Sequence, residues 1–152
     1  VEMVSFIKPE DEDKEHKYLL SLEEKMVQEL GLHYRVVNKC TGELGFPTAR
    51  KYDIEIWFPG QGKYRETHSA STNTDFQARR LNIKFEAKQS GSTTLLGVGG
   101  GVRKEYVYIL NATAFAIGRT LIAIMENFQQ KDGSILVPKV LQKYTSFTKI
   151  PS

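Results

Sequence analysis

Residues 49–72 read ARKYDIEIWFPGQGKYRETHSAST, and this stretch decides the fold class. Apolar and polar side chains alternate up to Phe58, which predicts a half-buried β-strand. The turn Pro59-Gly60-Gln61-Gly62 follows, so residues 63–72 are expected to return as a second, more polar antiparallel strand. One face of the first strand carries only large apolar side chains, and the other carries Asp53, Glu55 and Trp57.

Helices and further strands are predicted on both sides of this hairpin. Residues 1–7 have apolar side chains on both faces, as in a strand in the middle of a sheet. Pro9 and four carboxylates start a helix that Gly31 ends. The other expected elements are a strand at 33–37, a turn at 41–47, a helix at 76–81 capped by Asp75, a mobile Gly-rich loop at 89–101, a strand at 106–110, a helix at 112–130 and a short helix at 138–144. This order predicts an α+β fold, an antiparallel sheet with flanking helices.

Composition restricts the class of protein. The chain has 152 residues, 40% of them hydrophobic, with no apolar run of transmembrane length, which indicates one ordinary globular domain. The net charge, 21 basic minus 18 acidic residues, is +3 and too weak to favour nucleic-acid binding by bulk electrostatics. A single cysteine, Cys40, excludes an internal disulfide or a multi-Cys zinc site and favours a cytoplasmic setting.

Two generic kinds of active site find no support in the sequence. The glycine cluster at 97–101 lacks the spacing of a dinucleotide-binding loop, and no Lys-Ser/Thr pair follows it as in a P-loop. No serine or cysteine stands beside a histidine in a nucleophile arrangement. The cluster is therefore interpreted as part of the surface loop.

Arg119 is the most informative single residue. It lies in a predicted helix whose apolar residues cover nearly the whole circumference, so we expect this helix to be central and its guanidinium to have an anionic partner. That partner could be a carboxylate of the chain, such as Asp53 or Glu55, or the phosphate of a ligand. From spacing alone both remain open.

Three other polar residues have ordinary structural interpretations. Glu66, next to Arg65, could form only an exposed ion pair. Asn111 and Thr113 are residue types that cap helices and precede the Arg119 helix.

Two longer stretches point to a family. They are YRETHSASTNTDFQARR at 64–80 and LNATAFAIGRTLIAIMENFQQ at 110–130, and together they closely resemble the catalytic domain of seryl-tRNA synthetases, which are class II aminoacyl-tRNA synthetases. The second stretch is similar to class II motif 3. Val1-Glu2 is similar to the end of motif 2, and smaller matches occur at 41–45, 51–55 and 132–138.

The resemblance implies that residues 1–152 are the C-terminal portion of a class II catalytic domain, from the end of motif 2 through motif 3. The implied reaction is ATP-dependent activation of L-serine to seryl-adenylate and transfer to tRNA(Ser), in a homodimer that uses ATP and Mg²⁺. The implied ATP-site residues are Ser69, Glu66, which acts through magnesium, and Arg119, which binds the triphosphate. Glu66 and Arg119 would be the catalytic pair. The implied serine-site residues are Glu2, on the ammonium group, with Asn111 and Thr113.

The same resemblance raises two structural expectations. Strict alternation would put Glu66 and Ser69 on opposite faces, so a strand that presents both to ATP must bend or end near Thr67. The helical tRNA-binding arm, motif 1, the serine-selective loop and the motif 2 arginine are expected before Val1, so the 152-residue chain alone is expected to be inactive. The alternatives are a synthetase-like ligase that loads an amino acid onto a carrier protein, and a non-catalytic paralogue that serves as a binding module.

Overall fold

A computed structural model describes residues 1–88 and 102–152, so the loop predicted at 89–101 lies outside the described residues. The centre of the fold is a five-stranded antiparallel sheet with the strand order β1-β7-β4-β3-β2. The sheet strands are β1 Glu2–Ile7, β2 Tyr34–Asn38, β3 Arg50–Phe58, β4 Lys63–Thr72 and β7 Tyr108–Thr113. The described part of the chain also has two small two-stranded sheets: β5 Lys84–Lys88 with β6 Val102–Tyr106, and β8 Ile135–Leu136 with β9 Lys149–Ile150. The predicted α+β class is confirmed.

Within residues 1–88 and 102–152, three α-helices flank the sheet: α1 Glu12–Glu29, α2 Phe76–Leu81 and α3 Ile117–Phe128. A 3₁₀ turn at Pro9–Asp11 leads into α1, and Gly31, at φ 72°, ends it in a backbone conformation that suits glycine. Asp75 stands at the start of α2 as expected, but its side chain lies 3.5 Å from Arg79 and makes no capping hydrogen bond. The segment expected to be the last helix is a 3₁₀ turn, Lys139–Tyr144.

Helices α1 and α3 pack on the same face of the sheet. Leu19 of α1 contacts the β4 and β7 residues Ala70, Leu110 and Ala112. Farther along, Val27 of α1 and Ala123 of α3 pack around the apolar face of β3, formed by Ile54, Ile56 and Phe58. The apolar alternation that predicted β3 is therefore the base of the core. None of the helices within residues 1–88 and 102–152 is long and apolar enough to cross a membrane.

Strand β1 corrects one sequence interpretation. It pairs with β7 and is an edge strand of the sheet within the described residues, not a central one. Val4 and Phe6 point to the exposed side, while Met3 and Ile7 pack toward the helices. The apolar residues on both faces of this segment therefore do not indicate burial on both faces.

The start of α3 is a second correction. Residues 110–113 extend strand β7 by pairing with β1 and β4, and the helix begins only at Ile117. Asn111 and Thr113 are thus strand residues and not helix caps. The predicted central position of α3 is also wrong, because Thr120 and Ala123 are its only buried residues, whereas its outer face leaves apolar side chains exposed, namely Ile117, Leu121, Ile122 and Met125.

Candidate functional site

The candidate serine-site residues share the sheet face that α1 and α3 leave uncovered. On β7, Ala112 faces α1, so its neighbours Asn111 and Thr113 point to the opposite side. Glu2 is directly opposite Thr113 in the β1–β7 register. The Asn111 amide donates a hydrogen bond of 3.2 Å to Oε1 of Gln77 on α2, which fixes its orientation. Sequence reasoning did not identify Gln77, although it lies within the 64–80 stretch.

A β-bulge brings the two candidate ATP residues of β4 to this same face. Ile54 pairs with His68, but the next residue, Glu55, pairs with Glu66, so Thr67 is the extra residue. Ser69 is opposite Asp53 and Glu66 is opposite Glu55, and these two β3 residues share one face. The expectation that the strand must bend near Thr67 is therefore confirmed.

Buried polar contacts support the bulge. Thr67 is 1% exposed, and its hydroxyl lies 3.3 Å from the carbonyl oxygen of Ile54 and 2.8 Å from Nδ1 of His68. Burial lowers the pKa of His68 to about 4, so its ring is neutral at physiological pH. Thr67 and His68 are thus buried residues that stabilise the strand beneath the candidate site.

Arg119 meets Glu66 at the edge of the sheet. Its Nη1 donates a hydrogen bond of 3.0 Å to the backbone carbonyl of Glu66 and lies 3.8 Å from Oε1 of the carboxylate. The Arg119 side chain is 58% exposed, so it is not the buried charge that the apolar helix suggested. Among the described residues, the anionic side chain that pairs with Arg119 is Glu66, not Asp53 or Glu55.

A cavity of about 440 Å³ lies beside this pair. Its lining combines two cationic side chains and one carboxylate with apolar and amide groups: Phe58, Gln61, Arg65, Glu66, Arg119 and Ile122. Arg65 donates to Gln61 at 2.8 Å, and the predicted pairing of Arg65 with Glu66 is absent from the ion pairs of the described residues. The exposed Arg119 fork is therefore available to an anion that enters the cavity.

A buried charge cluster adjoins the pair on the same sheet face. Lys51 Nζ lies 2.9 Å from Oδ1 of Asp53 and 3.8 Å from Oε1 of Glu66, while Lys39 Nζ lies 3.8 Å from Oδ2 of Asp53. The sequence offers Asp53 as a possible partner of Arg119 and places both residues in the 51–55 match, but it assigns Lys51 no role. The alternation of β3 could have indicated both, because Lys51 and Asp53 are two residues apart and share a face.

The described part of the chain contains no group of three or more His, Cys, Asp or Glu side chains that could hold a metal on its own. Mg²⁺ does not need such a group, because it commonly binds through one or two carboxylates together with substrate phosphates and water. Glu66 is 43% exposed beside the cavity and beside Arg119, and this arrangement fits a magnesium ion that arrives with a nucleotide.

Comparisons with known proteins agree on one family. Residues 1–128 match the family model described as tRNA synthetase class II core domain (G, H, P, S and T). The serine–tRNA ligase of Dictyoglomus thermophilum is 53% identical over 149 residues, which are 98% of this chain and 32% of that protein.

Two solved structures share the fold. Seryl-tRNA synthetase from Pyrococcus horikoshii complexed with ATP superposes with a TM-score of 0.88 at 46% identity, covering 100% of this chain and 32% of that one. The cytoplasmic serine–tRNA ligase of Naegleria fowleri in complex with AMP gives a TM-score of 0.82 at 36% identity, covering 99% of this chain and 34% of that one. The chain thus spans about a third of the length of the relatives that it matches.

Proposed function

The chain belongs to the class II tRNA synthetase core domain family, and from this premise we propose that it forms the motif 3 half of a serine–tRNA ligase active site. The proposed reaction activates L-serine with ATP to seryl-adenylate and transfers the seryl group to tRNA(Ser). The observation that carries the proposal is the bulge at Thr67, because it puts Glu66 and Ser69 on the face where Glu2 and Thr113 meet.

The ATP half of the proposed site combines Arg119, Glu66 and Ser69. The planar Arg119 fork is well suited to phosphate oxygens, and its exposure leaves it free to bind them. Glu66 would hold the magnesium ion that accompanies ATP, and Ser69 offers a hydroxyl on the same face. A magnesium ion held there would supply charge stabilisation at the phosphates. In the proposed step the serine carboxylate attacks the α-phosphorus and pyrophosphate leaves. Arg119 orients the leaving phosphates and stabilises their charge.

The serine half combines Glu2, Thr113 and Asn111. The Glu2 carboxylate would bind the serine ammonium group, and Thr113, opposite it in the sheet, would line the pocket for the small side chain. Asn111 lies two residues away on the same strand, with an amide oriented by Gln77. A pocket of this kind discriminates by polar contacts, because an analogue that leaves these groups unpaired binds poorly.

The proposed partners are L-serine, ATP, Mg²⁺ and tRNA(Ser), with a homodimer as the assembly and the cytoplasm as the location. A ligase that loads a carrier protein would use the same activation chemistry and differ in the acceptor. The names of the matched relatives favour tRNA as the acceptor. A non-catalytic paralogue is disfavoured because Glu2, Glu66 and Arg119 are all present on the site face or at its edge.

Replacing Glu2 with glutamine tests the serine half. In the complete gene product that carries this chain, Glu2→Gln is expected to raise the serine KM or lower kcat by roughly 10- to 100-fold, the range for losing a hydrogen bond to a charged group. ATP affinity should change little, because Glu2 lies on β1 and Arg119 and Glu66 bind the nucleotide. Steady-state ATP–pyrophosphate exchange at varied serine and ATP measures both quantities.

Glu10→Gln is the matched control, since Glu10 is exposed in the turn before α1. It should leave both KM values unchanged. An unaltered serine response in Glu2→Gln would remove Glu2 from the proposed serine site.

A further inference from the structure

The further inference concerns Asp53 and Lys51, which no step of the proposed mechanism uses. Asp53 lies in the centre of β3 with a side chain that is 1% exposed. Apart from Lys51 and Lys39, neither of its carboxylate oxygens has a hydrogen-bond partner in the described part of the chain. A buried carboxylate costs free energy unless it is paired. The ammonium groups of Lys51 and Lys39 therefore stabilise the buried Asp53 carboxylate.

Lys51 stands between two carboxylates at unequal distances. Its ammonium nitrogen is 2.9 Å from Asp53 but 3.8 Å from Glu66, so Asp53 is its closer partner. The lysine side chain is only 19% exposed, whereas Glu66 is 43% exposed. Burial raises the pKa of the Asp53 carboxyl and the adjacent Lys51 opposes that rise, which is the mutual dependence expected of a buried ion pair.

Two cationic side chains, Lys51 and Arg119, lie near the same oxygen of the Glu66 carboxylate. The oxygen that faces Lys51, Oε1, is the same oxygen that lies 3.8 Å from Arg119. A lysine in direct contact with this carboxylate would neutralise it and occupy the space that a divalent cation needs. The position of the Lys51 ammonium therefore sets how readily Glu66 can bind a metal ion.

We propose that Asp53 is a positioning residue that holds Lys51 away from Glu66, and so keeps the Glu66 carboxylate available to the divalent cation that accompanies ATP. This inference rests on the proposed function, since it assigns the metal to Glu66. Asp53 acts through Lys51 and does not itself touch substrate or metal. Without the Asp53 charge, the flexible lysine stem lets the ammonium move to Glu66, the nearest remaining carboxylate.

The test is a double-mutant cycle read by metal binding. The complete gene product is titrated with Mn²⁺ in the presence of a non-hydrolysable ATP analogue, and free Mn²⁺ is followed by electron paramagnetic resonance. Asp53→Asn, an isosteric change, is expected to weaken Mn²⁺ binding by up to about fivefold, the upper end of the scale for one partly exposed ion pair. Lys51→Met should bind at least as tightly as the unchanged protein, and the double variant should match Lys51→Met.

Lys39→Met is the matched control, because Lys39 lies 3.8 Å from Asp53 and forms no ion pair with Glu66 among the described residues. It should change Mn²⁺ affinity by no more than about twofold. If Asp53 acted only through its own field on the metal, Asp53→Asn would weaken binding equally with and without Lys51, and the proposal would be overturned.

Three further outcomes are distinguishable. Weaker Mn²⁺ binding in Lys51→Met alone overturns the inference even if Asp53→Asn does not fold. Normal Mn²⁺ binding in Asp53→Asn overturns the inference and leaves the proposed function intact. Absence of nucleotide-dependent Mn²⁺ binding in the unchanged protein overturns the assignment of metal to Glu66 and both proposals with it.

Discussion

Replacing Arg119 with alanine is expected to lower serine-dependent ATP–pyrophosphate exchange by roughly 100- to 1000-fold, the effect typical of removing one preorganised donor at a developing charge. The melting temperature should fall by only a few degrees, because the side chain is 58% exposed and its contacts are one carbonyl and one carboxylate at 3.8 Å. The two measurements together separate a ligand-binding arginine from a structural one.

Arg35→Ala is the matched control for this variant. Arg35 is 56% exposed and is paired with Glu55 at 2.6 Å. Its removal therefore breaks a closer surface ion pair and leaves the lining of the cavity unchanged. The rate of ATP–pyrophosphate exchange in Arg35→Ala should stay near that of the unsubstituted protein. If Arg119→Ala instead lost much of its stability while exchange remained near normal, the ion pair with Glu66 would be the main role of Arg119.

Replacing Glu23 with glutamine is expected to stabilise the chain at neutral and alkaline pH. Glu23 lies on the inner side of α1, fully buried, and both carboxylate oxygens lack a hydrogen-bond partner among the described residues. Burial, reinforced by the negative charges of Glu2 and Asp53, raises its pKa from 4.5 to about 8. The folded protein therefore favours the protonated form, and ionisation opposes folding.

The sign and the pH window follow from this pKa. Below pH 4.5 the carboxyl is protonated in both the folded and the unfolded chain, and Glu23→Gln should have little effect. Between pH 4.5 and about 8 the unfolded chain loses its proton first, so the unchanged protein becomes progressively less stable than the variant. The difference should approach several kcal/mol at the upper end, since each tenfold change in proton affinity corresponds to about 1.4 kcal/mol.

Urea denaturation of the chain at pH 4.5, 6 and 8 measures this effect. Glu29→Gln is the control, because Glu29 lies on the same helix but is exposed and 4.0 Å from Lys25. Its free energy of unfolding should change little and show no comparable trend. A Glu23→Gln difference that is constant with pH would mean that the carboxyl is ionised in the folded protein.

The elements that could be predicted from sequence are those whose pattern is local. The alternation of β3 and the carboxylate-rich start of α1 each depend on neighbouring residues, and the structure has both elements close to the expected bounds. The start of α3 could not be predicted in this way. The sequence of residues 110–113 favours neither helix nor strand strongly. Pairing with β1 and β4 makes these residues a strand.

The site shows the same division. Motif resemblance assigns Glu66, Ser69 and Arg119 to the proposed ATP site, and these assignments remain predictions. The need for a bend near Thr67 follows from the period of a strand. The position of the bulge at Thr67 depends on how β4 pairs with β3. The chain of ion pairs that links Lys39, Asp53, Lys51 and Glu66 depends on side chains from three different segments. Such contacts between strands carry no signature within any one segment.

Seryl-tRNA formation is the most direct measurement of the central proposal. The complete gene product, ATP, Mg²⁺, labelled serine and total tRNA are combined, and label in acid-precipitable tRNA is counted, with labelled threonine and alanine in parallel reactions. The proposal predicts that serine is attached to tRNA and that threonine and alanine are not, because the site is built around polar contacts to one small substrate. Activation of serine without transfer to tRNA, or no activation of serine at all, would contradict it.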